Sequence, residues 1–293
     1  MRGRSNSGNP ERNAHRSQTV DPKRDGRHRT NQLFVIGIGP GSLDHLTKRA
    51  HDVLAVVDVV VGYKTYIDLI KSLVKEKEII RSGMTKEVKR VEAAIELALN
   101  GKSCALVSSG DPGIYAMAGL VFETCKLKKI PVVSPAQGKD HQDSKDALEL
   151  EVVPGIPALC AGASLLGAPL THDFAAISLS DLLTPWELIE QRLDAAAKAD
   201  FVIVLYNPKS RKRTWQLEKA QQILLKYRDN HTPVGIVVGA MRPNQDVRIV
   251  SLEKLHSAHI DMQTTVFIGS STSSKYLDFM VTPRGYSKKY DIQ

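Results

Sequence analysis

A chain of 293 residues with 42% apolar and 5% aromatic residues has enough Val, Ile, Leu and Ala to bury a core in α/β layers, which excludes disorder of the whole chain. The formal charge of +8 does not indicate a polyanion track, because residues 1–32 hold eight Lys or Arg against three acids, whereas the remainder holds 32 bases against 29 acids. Three scattered cysteines, Cys104, Cys125 and Cys160, argue against disulfides and zinc and read as buried small residues, and no run approaches the roughly 20 apolar residues of a bilayer span, so a soluble, cytoplasmic protein is expected.

Residues 1–32 have too few apolar side chains to offset the entropy of ordering and read as a disordered basic tail without the apolar stretch of a signal peptide. From Leu33 short β-branched runs alternate with helical periodicity, the pattern of strands joined through helices. Leu33 to Ile38 is expected as a strand, Leu46, Ala50, Val53, Leu54 and Val57 as a helix face, and Asp58 to Val61 as the next strand. Val88, Val91, Ile95 and Ala98 form a second helix face, closed by Gly101. Ser103 to Ser108 follows as a strand, then a helix from Ile114 to Lys126. The polar, aperiodic stretch 134–148 reads as an exposed insertion.

A strand over Leu150 to Val153 precedes Pro154, Gly155 and Pro157, the best domain boundary in the chain. It divides an N-terminal α/β domain, 33–153, from a C-terminal one, 154–286, with 287–293 as a tail. Beyond a small-residue helix to Leu166, strands are expected at Ala175 to Leu179, Phe201 to Tyr206, Val234 to Val238, Val247 to Ser251 and Thr264 to Ile268. Helices over Trp186 to Ala199 and Thr214 to Tyr227 separate the first three, and a mixed sheet is predicted because the last two lack intervening helices.

Chemistry is sought in the loops that follow strands, where ligands of open α/β sheets collect. Gly37-Ile38-Gly39-Pro40-Gly41 invites comparison with a dinucleotide-binding turn, but Pro40 removes a backbone donor and the second strand ends at Gly62-Tyr63 without an acid for a ribose. Ser108-Ser109-Gly110-Asp111-Pro112-Gly113 is a second glycine loop on the same rim, with Asp111 read on spacing as a turn or N-cap residue. Tyr206-Asn207-Pro208 ends a strand of the second half, and the cationic run Lys209 to Arg213 reads as a solvated helix start. His172 and Asp173 form the close His/Asp pair flanked by apolar sequence.

Longer segments carry a more specific signal: Val60-Val61-Gly62-Tyr63-Lys64-Thr65-Tyr66, Ser82-Gly83-Met84, Ser108 to Gly119, Ile177 to Trp186, Val204 to Pro208 and Met280 to Tyr286. Together they resemble the tetrapyrrole methylases that use S-adenosylmethionine, and within them the branch that methylates C17 in cobalamin synthesis. The resemblance implies a two-domain α/β fold, each domain a sheet flanked by helices, with the active site in the interdomain cleft and usually a homodimer. It places Gly39, Pro40, Ser109, Gly110, Asp111, Ile114, Pro157, Ala158, Tyr206, Asn207 and Ala240 around S-adenosylmethionine. The family often has Thr where Pro157 stands, and Val238 to Arg242 departs from the Arg-Asn-Ala-Gly-Arg of this branch.

Methyl transfer from a sulfonium to carbon requires neither a metal nor a covalent nucleophile, and alignment of donor and acceptor supplies up to about 7–11 kcal/mol in well-oriented systems. The implied substrate is a small tetrapyrrole, with no nucleic acid or membrane partner. The ring contraction implied at C17 needs proton movement, for which Tyr115, His172, Asp173 and Asp181 are the candidates. Two rival classes are an RNA methyltransferase of the same fold, which the basic tail would suit, and a non-catalytic nucleotide-binding module.

Overall fold

The computed structural model describes residues 31–135 and 146–291. Most of the basic tail, the middle of the expected insertion and the last two residues lie outside the described residues. The first half contains β1 (Gln32–Gly37), α1 (Lys48–Val56), β2 (Val59–Tyr63), α2 (Lys64–Leu69), β3 (Glu78–Ser82), α3 (Glu87–Leu99), β4 (Cys104–Ser108), α4 (Met117–Leu127), β5 (Val132–Val133) and β6 (Leu148–Val153). Its strands form one parallel sheet in the order β3-β2-β4-β1-β6-β5.

Alternation along the strands explains why both faces of this sheet are covered. Leu33, Val35, Val59, Val61 and Leu106 point to one side and pack with Val91, Ala94, Ile95 and Val121 of α3 and α4. Phe34, Ile36, Val60, Ala105 and Val107 point to the other and pack with Ala50, Val53, Leu54 and Ile67 of α1 and α2. Each fully buried Val, Leu, Ile or Phe among them contributes about 1.5–3 kcal/mol. Gly101, with φ of +81°, closes α3 as its position in the sequence predicts.

The second half contains α5 (Ala158–Leu166), β7 (Gly167–Ala168), β8 (Phe174–Ser178), α6 (Trp186–Lys198), β9 (Val202–Tyr206), α7 (Gln216–Leu224), β10 (Pro233–Val238), β11 (Asp246–Ser251), β12 (Thr264–Ile268), β13 (Ser274–Tyr276), β14 (Phe279–Val281) and α8 (Tyr286–Lys289). Five of the strands form a sheet in the order β11-β10-β12-β9-β8. β8 and β9 run parallel and the other pairs antiparallel, so the sheet is mixed, as expected. Helices α6 and α7 cover one face with Ile189, Leu193, Leu217 and Leu224, and α5 covers the other with Leu159 and Leu166.

Several expectations need correction. Leu148, assigned to the insertion, is buried and opens β6, where it pairs with Val132 of β5. α4 begins at Met117 rather than Ile114, because residues 111–116 are held in a loop with Tyr115 at φ +52°. Val88 is 54% exposed, and the inward position on that turn of α3 belongs to Arg90. Cys160 is exposed: α5 turns Leu159, Ala161, Gly162 and Leu166 inward, leaving Cys160 on the outer face. β3, α2 and the small sheet β13-β14-β7 were not anticipated. No helix of the described residues is long and apolar enough to cross a membrane.

Candidate active site

The loops after β1, β4 and β6 meet at the C-terminal rim of the first sheet. Gly39 and Gly110 exchange backbone hydrogen bonds, Gly110 N–H to the Gly39 carbonyl at 2.7 Å and Gly39 N–H to the Gly110 carbonyl at 3.1 Å. The chain from β6 passes so close that a Cβ on Gly155 would collide with the Gly110 carbonyl oxygen. Asp111 secures this junction. One carboxylate oxygen accepts from Gly113 N–H at 2.8 Å, and the other from Gly155 N–H at 3.1 Å. Its turn role is as read from the sequence, but it caps no helix, because α4 begins six residues later; it ties two loops together.

The second half supplies the opposite wall. Tyr206, at the end of β9, accepts a hydrogen bond on its hydroxyl from the Leu159 N–H at the start of α5, at 3.0 Å. Burial pushes this phenol up to about 12. Its ring stands 5.1 Å from that of Tyr115, whose hydroxyl donates to the Ala176 carbonyl at 2.8 Å and which is likewise raised by burial. Asn207, at φ +51°, donates from its amide to Ser178 Oγ at 2.9 Å. Arg242, in the turn after β10, donates from Nε to the Pro40 carbonyl at 2.7 Å and from a terminal nitrogen to Ser109 Oγ at 3.0 Å. A loop arginine of one half thus binds both glycine loops of the other.

These walls enclose a cavity of about 550 Å³, within the roughly 300–1,000 Å³ of small-molecule sites. Of the residues expected around S-adenosylmethionine, all but Gly39 line it, and Gly39 is bridged to Gly110. The lining combines backbone at Gly110, small apolar groups at Pro157, Ala158 and Ala240, and hydroxyls at Thr264 and Thr265. That mixture fits a ligand with both an apolar plane and polar ends.

Of the four proton-transfer candidates, Tyr115 lines the cavity. Asp181 lies in the loop after β8, where it accepts from Gln216 Nε2 at 2.9 Å and stands 4.0 Å from Arg213 Nε. His172 and Asp173 precede β8, at the strand end opposite Ser178, and are 53% and 77% exposed; His172 Nδ1 accepts from the Asp173 N–H at 2.9 Å. The cationic run does not start a helix, since α7 begins at Gln216; Arg213 instead donates to the Asn207 carbonyl at 3.1 Å and Ser180 Oγ at 2.9 Å.

Sequence reasoning missed Arg90, Tyr66 and Arg242 as lining residues. Arg90 had a readable signal, a cation in register with the inward positions Ala94 and Ala98 of α3. Tyr66 is raised by burial, an effect opposed by the positive charges of Arg242 and Arg90. Burial lowers the Arg242 guanidinium.

The model of the tetrapyrrole (corrin/porphyrin) methylases matches residues 32–256. The chain is 49% identical over 261 residues to the cobalt-factor III methyltransferase of Priestia megaterium, covering 89% of this chain but 46% of that longer protein. It is 45% identical over 255 residues to the probable cobalt-factor III C(17)-methyltransferase of Salmonella typhimurium, covering 87% of this chain and 99% of that one. Among solved structures it is similar to the methyltransferase CobJ, at 32% identity with a TM-score of 0.75, over 86% of this chain and 99% of the other. A cobalt precorrin-4 methyltransferase, CbiF, at 22% identity and a TM-score of 0.61, shares the fold.

Proposed function

Since the chain belongs to the tetrapyrrole (corrin/porphyrin) methylases, we propose that it transfers a methyl group from S-adenosylmethionine to C17 of precorrin-3B or its cobalt-containing counterpart, with ring contraction, in cobalamin biosynthesis. The observation that carries this reading is the cavity walled by glycine loops of the first sheet and by Tyr206, Asn207 and Ala240 of the second half. The names of the similar proteins favour the corrin branch over RNA methylation.

S-adenosylmethionine, when bound, supplies an electrophilic methyl group. The protein's own contribution is to hold two reactants in line, which supplies up to about 7–11 kcal/mol in well-oriented systems. Pro40, Gly110, Ile114, Pro157, Ala158, Asn207 and Ala240 would hold the cofactor, mainly through backbone and small side chains. Arg242 and Asp111 keep the loops in register. Tyr115 is the proton-transfer candidate at the cavity wall; its Oη–H is neutral at physiological pH and is held by the Ala176 carbonyl. The proposal also takes the protein as a cytoplasmic homodimer.

The test is incubation with methyl-labelled S-adenosylmethionine and cobalt-factor III or a precorrin-3 preparation, followed by mass and positional analysis of the macrocycle. One labelled methyl at C17 of a contracted ring is expected; label at another carbon, or none, would overturn the assignment.

A further inference from the structure

Helix α3 turns a cation toward the protein. Arg90 is 5% exposed and shares its inward face with Val91, Ala94, Ile95 and Ala98. Its guanidinium donates from Nε to Ser82 Oγ at 2.6 Å and from one terminal nitrogen to the Gly83 carbonyl at 2.9 Å. The other terminal nitrogen meets the Met117 thioether at 3.6 Å, a weak acceptor. The Tyr63 ring lies 6.0 Å away. Arg90, Tyr63 and Met117 all line the cavity.

A buried charge is costly unless it is paired. Arg228 shows how this chain meets that cost elsewhere: it is 8% exposed, and the Asp200 carboxylate stands 3.0 Å from it. Among the described residues no Asp or Glu oxygen comes within 4.0 Å of Arg90. Glu87, one turn earlier on α3 and also at the cavity wall, does not come that close. Arg242, on the far wall, likewise has no carboxylate within 4.0 Å among the described residues. Tyr66 feels both cations, which oppose the rise that burial causes, and also the negative charge of Glu87, which adds to it. Two cations thus face the cavity, neither with a carboxylate in direct contact among the described residues, and the acids that share the lining, Glu87 and Asp111, stand farther from them than 4.0 Å.

We propose that Arg90 anchors a carboxylate on the rim of the bound macrocycle. This rests on the tetrapyrrole reading, since such macrocycles carry acidic side chains around a flat ring. The cofactor also has a carboxylate, so the same chemistry has two sources. The anchoring of Arg90 at the edge of the sheet favours the macrocycle. Arg90 is fastened to Ser82 and Gly83 at the end of β3, and β2 separates β3 from β4, whose loop helps to form the cofactor cradle. Two strand spacings are roughly 10 Å, although the guanidinium itself reaches Met117 at the start of α4, so two binding measurements decide between the sources.

The experiment uses the full chain, with uroporphyrin as the carboxylate-rich probe, followed by fluorescence, and S-adenosylhomocysteine as the cofactor probe, followed by calorimetry. Arg90→Gln is expected to weaken uroporphyrin binding about 10- to 100-fold and to leave S-adenosylhomocysteine binding intact. Arg90→Lys keeps the charge but loses the planar fork; it should weaken uroporphyrin less, and it reports on the site if Arg90→Gln does not fold. Unchanged uroporphyrin affinity in a folded variant would overturn the proposal. So would loss of S-adenosylhomocysteine with uroporphyrin retained, which assigns Arg90 to the cofactor. A wild-type protein that binds S-adenosylhomocysteine but no uroporphyrin would overturn this inference and leave the methyl-transfer assay to decide the tetrapyrrole reading.

Discussion

Arg242 and Pro40 are joined by a 2.7 Å hydrogen bond across 202 positions of the chain. Because the same guanidinium also holds Ser109, it sets the spacing between the second half and both glycine loops of the first. Hydrogen bonds from charged donors are worth about 1.5–3 kcal/mol. Arg242→Met keeps an unbranched stem at this position and removes both bonds. S-adenosylhomocysteine affinity should fall about 10- to 100-fold by calorimetry, with a smaller change in thermal midpoint. Wild-type affinity in the variant would show that this contact does not shape the cavity.

The glycines make a prediction with opposite signs. Gly155 sits where an added Cβ meets the Gly110 carbonyl, whereas nothing lies within 4 Å of the Cβ position at Gly119 in α4. Gly155→Ala should destabilise by about 1–3 kcal/mol. Gly119→Ala should stabilise by roughly 1 kcal/mol through helix propensity. Urea denaturation of the two variants beside wild type checks both signs.

Asp111 uses both carboxylate oxygens on backbone N–H groups of different loops. Asn offers one oxygen, so Asp111→Asn must abandon either Gly113 or Gly155. A cost of about 1–3 kcal/mol is expected in chemical denaturation, together with weaker S-adenosylhomocysteine binding. An unaltered denaturation midpoint would mean that the tie contributes nothing to the fold.

Alkaline pH probes Tyr206. Its phenol is pushed up to about 12 by burial from the ordinary value of 10.0. Below pH 10 both folded and unfolded forms keep the proton, so no stability changes hands. Between pH 10 and 12 the unfolded chain releases a proton that the folded chain retains, and stability falls as pH rises. Tyr206→Phe should flatten part of that decline in denaturation midpoints measured across the window. An equally steep decline in the variant would place the effect at other phenols, such as Tyr66 or Tyr115, which burial also raises.

The parts of the molecule legible in the sequence are the short continuous apolar runs. Leu33 to Gly37 and Cys104 to Val107 are such runs, and both belong to central strands. Glu-Ile-Ile-Arg-Ser of β3 is interrupted by charge because it is an edge strand with exposed positions, and it was missed. The glycine loops could be placed on one rim because parallel strands direct their C-terminal ends the same way. What periodicity could not show was Arg242 reaching across from the other half, since a contact between residues 202 apart leaves no local trace. Arg90 was obscured differently: its register with Ala94 and Ala98 is legible, but on polarity Val88 is the expected inward residue, and the bonds to Ser82 and Gly83 that allow a cation to be buried there are not local.

The account turns on both halves of the chain gripping one cofactor. The most direct measurement is a crystal structure of the full chain with S-adenosylhomocysteine. It should show the ligand against the loops at Pro40 and Gly110 and, at the same time, against Ala158, Asn207 and Ala240. Ligand density confined to one half, or lying outside this cavity, would contradict the account.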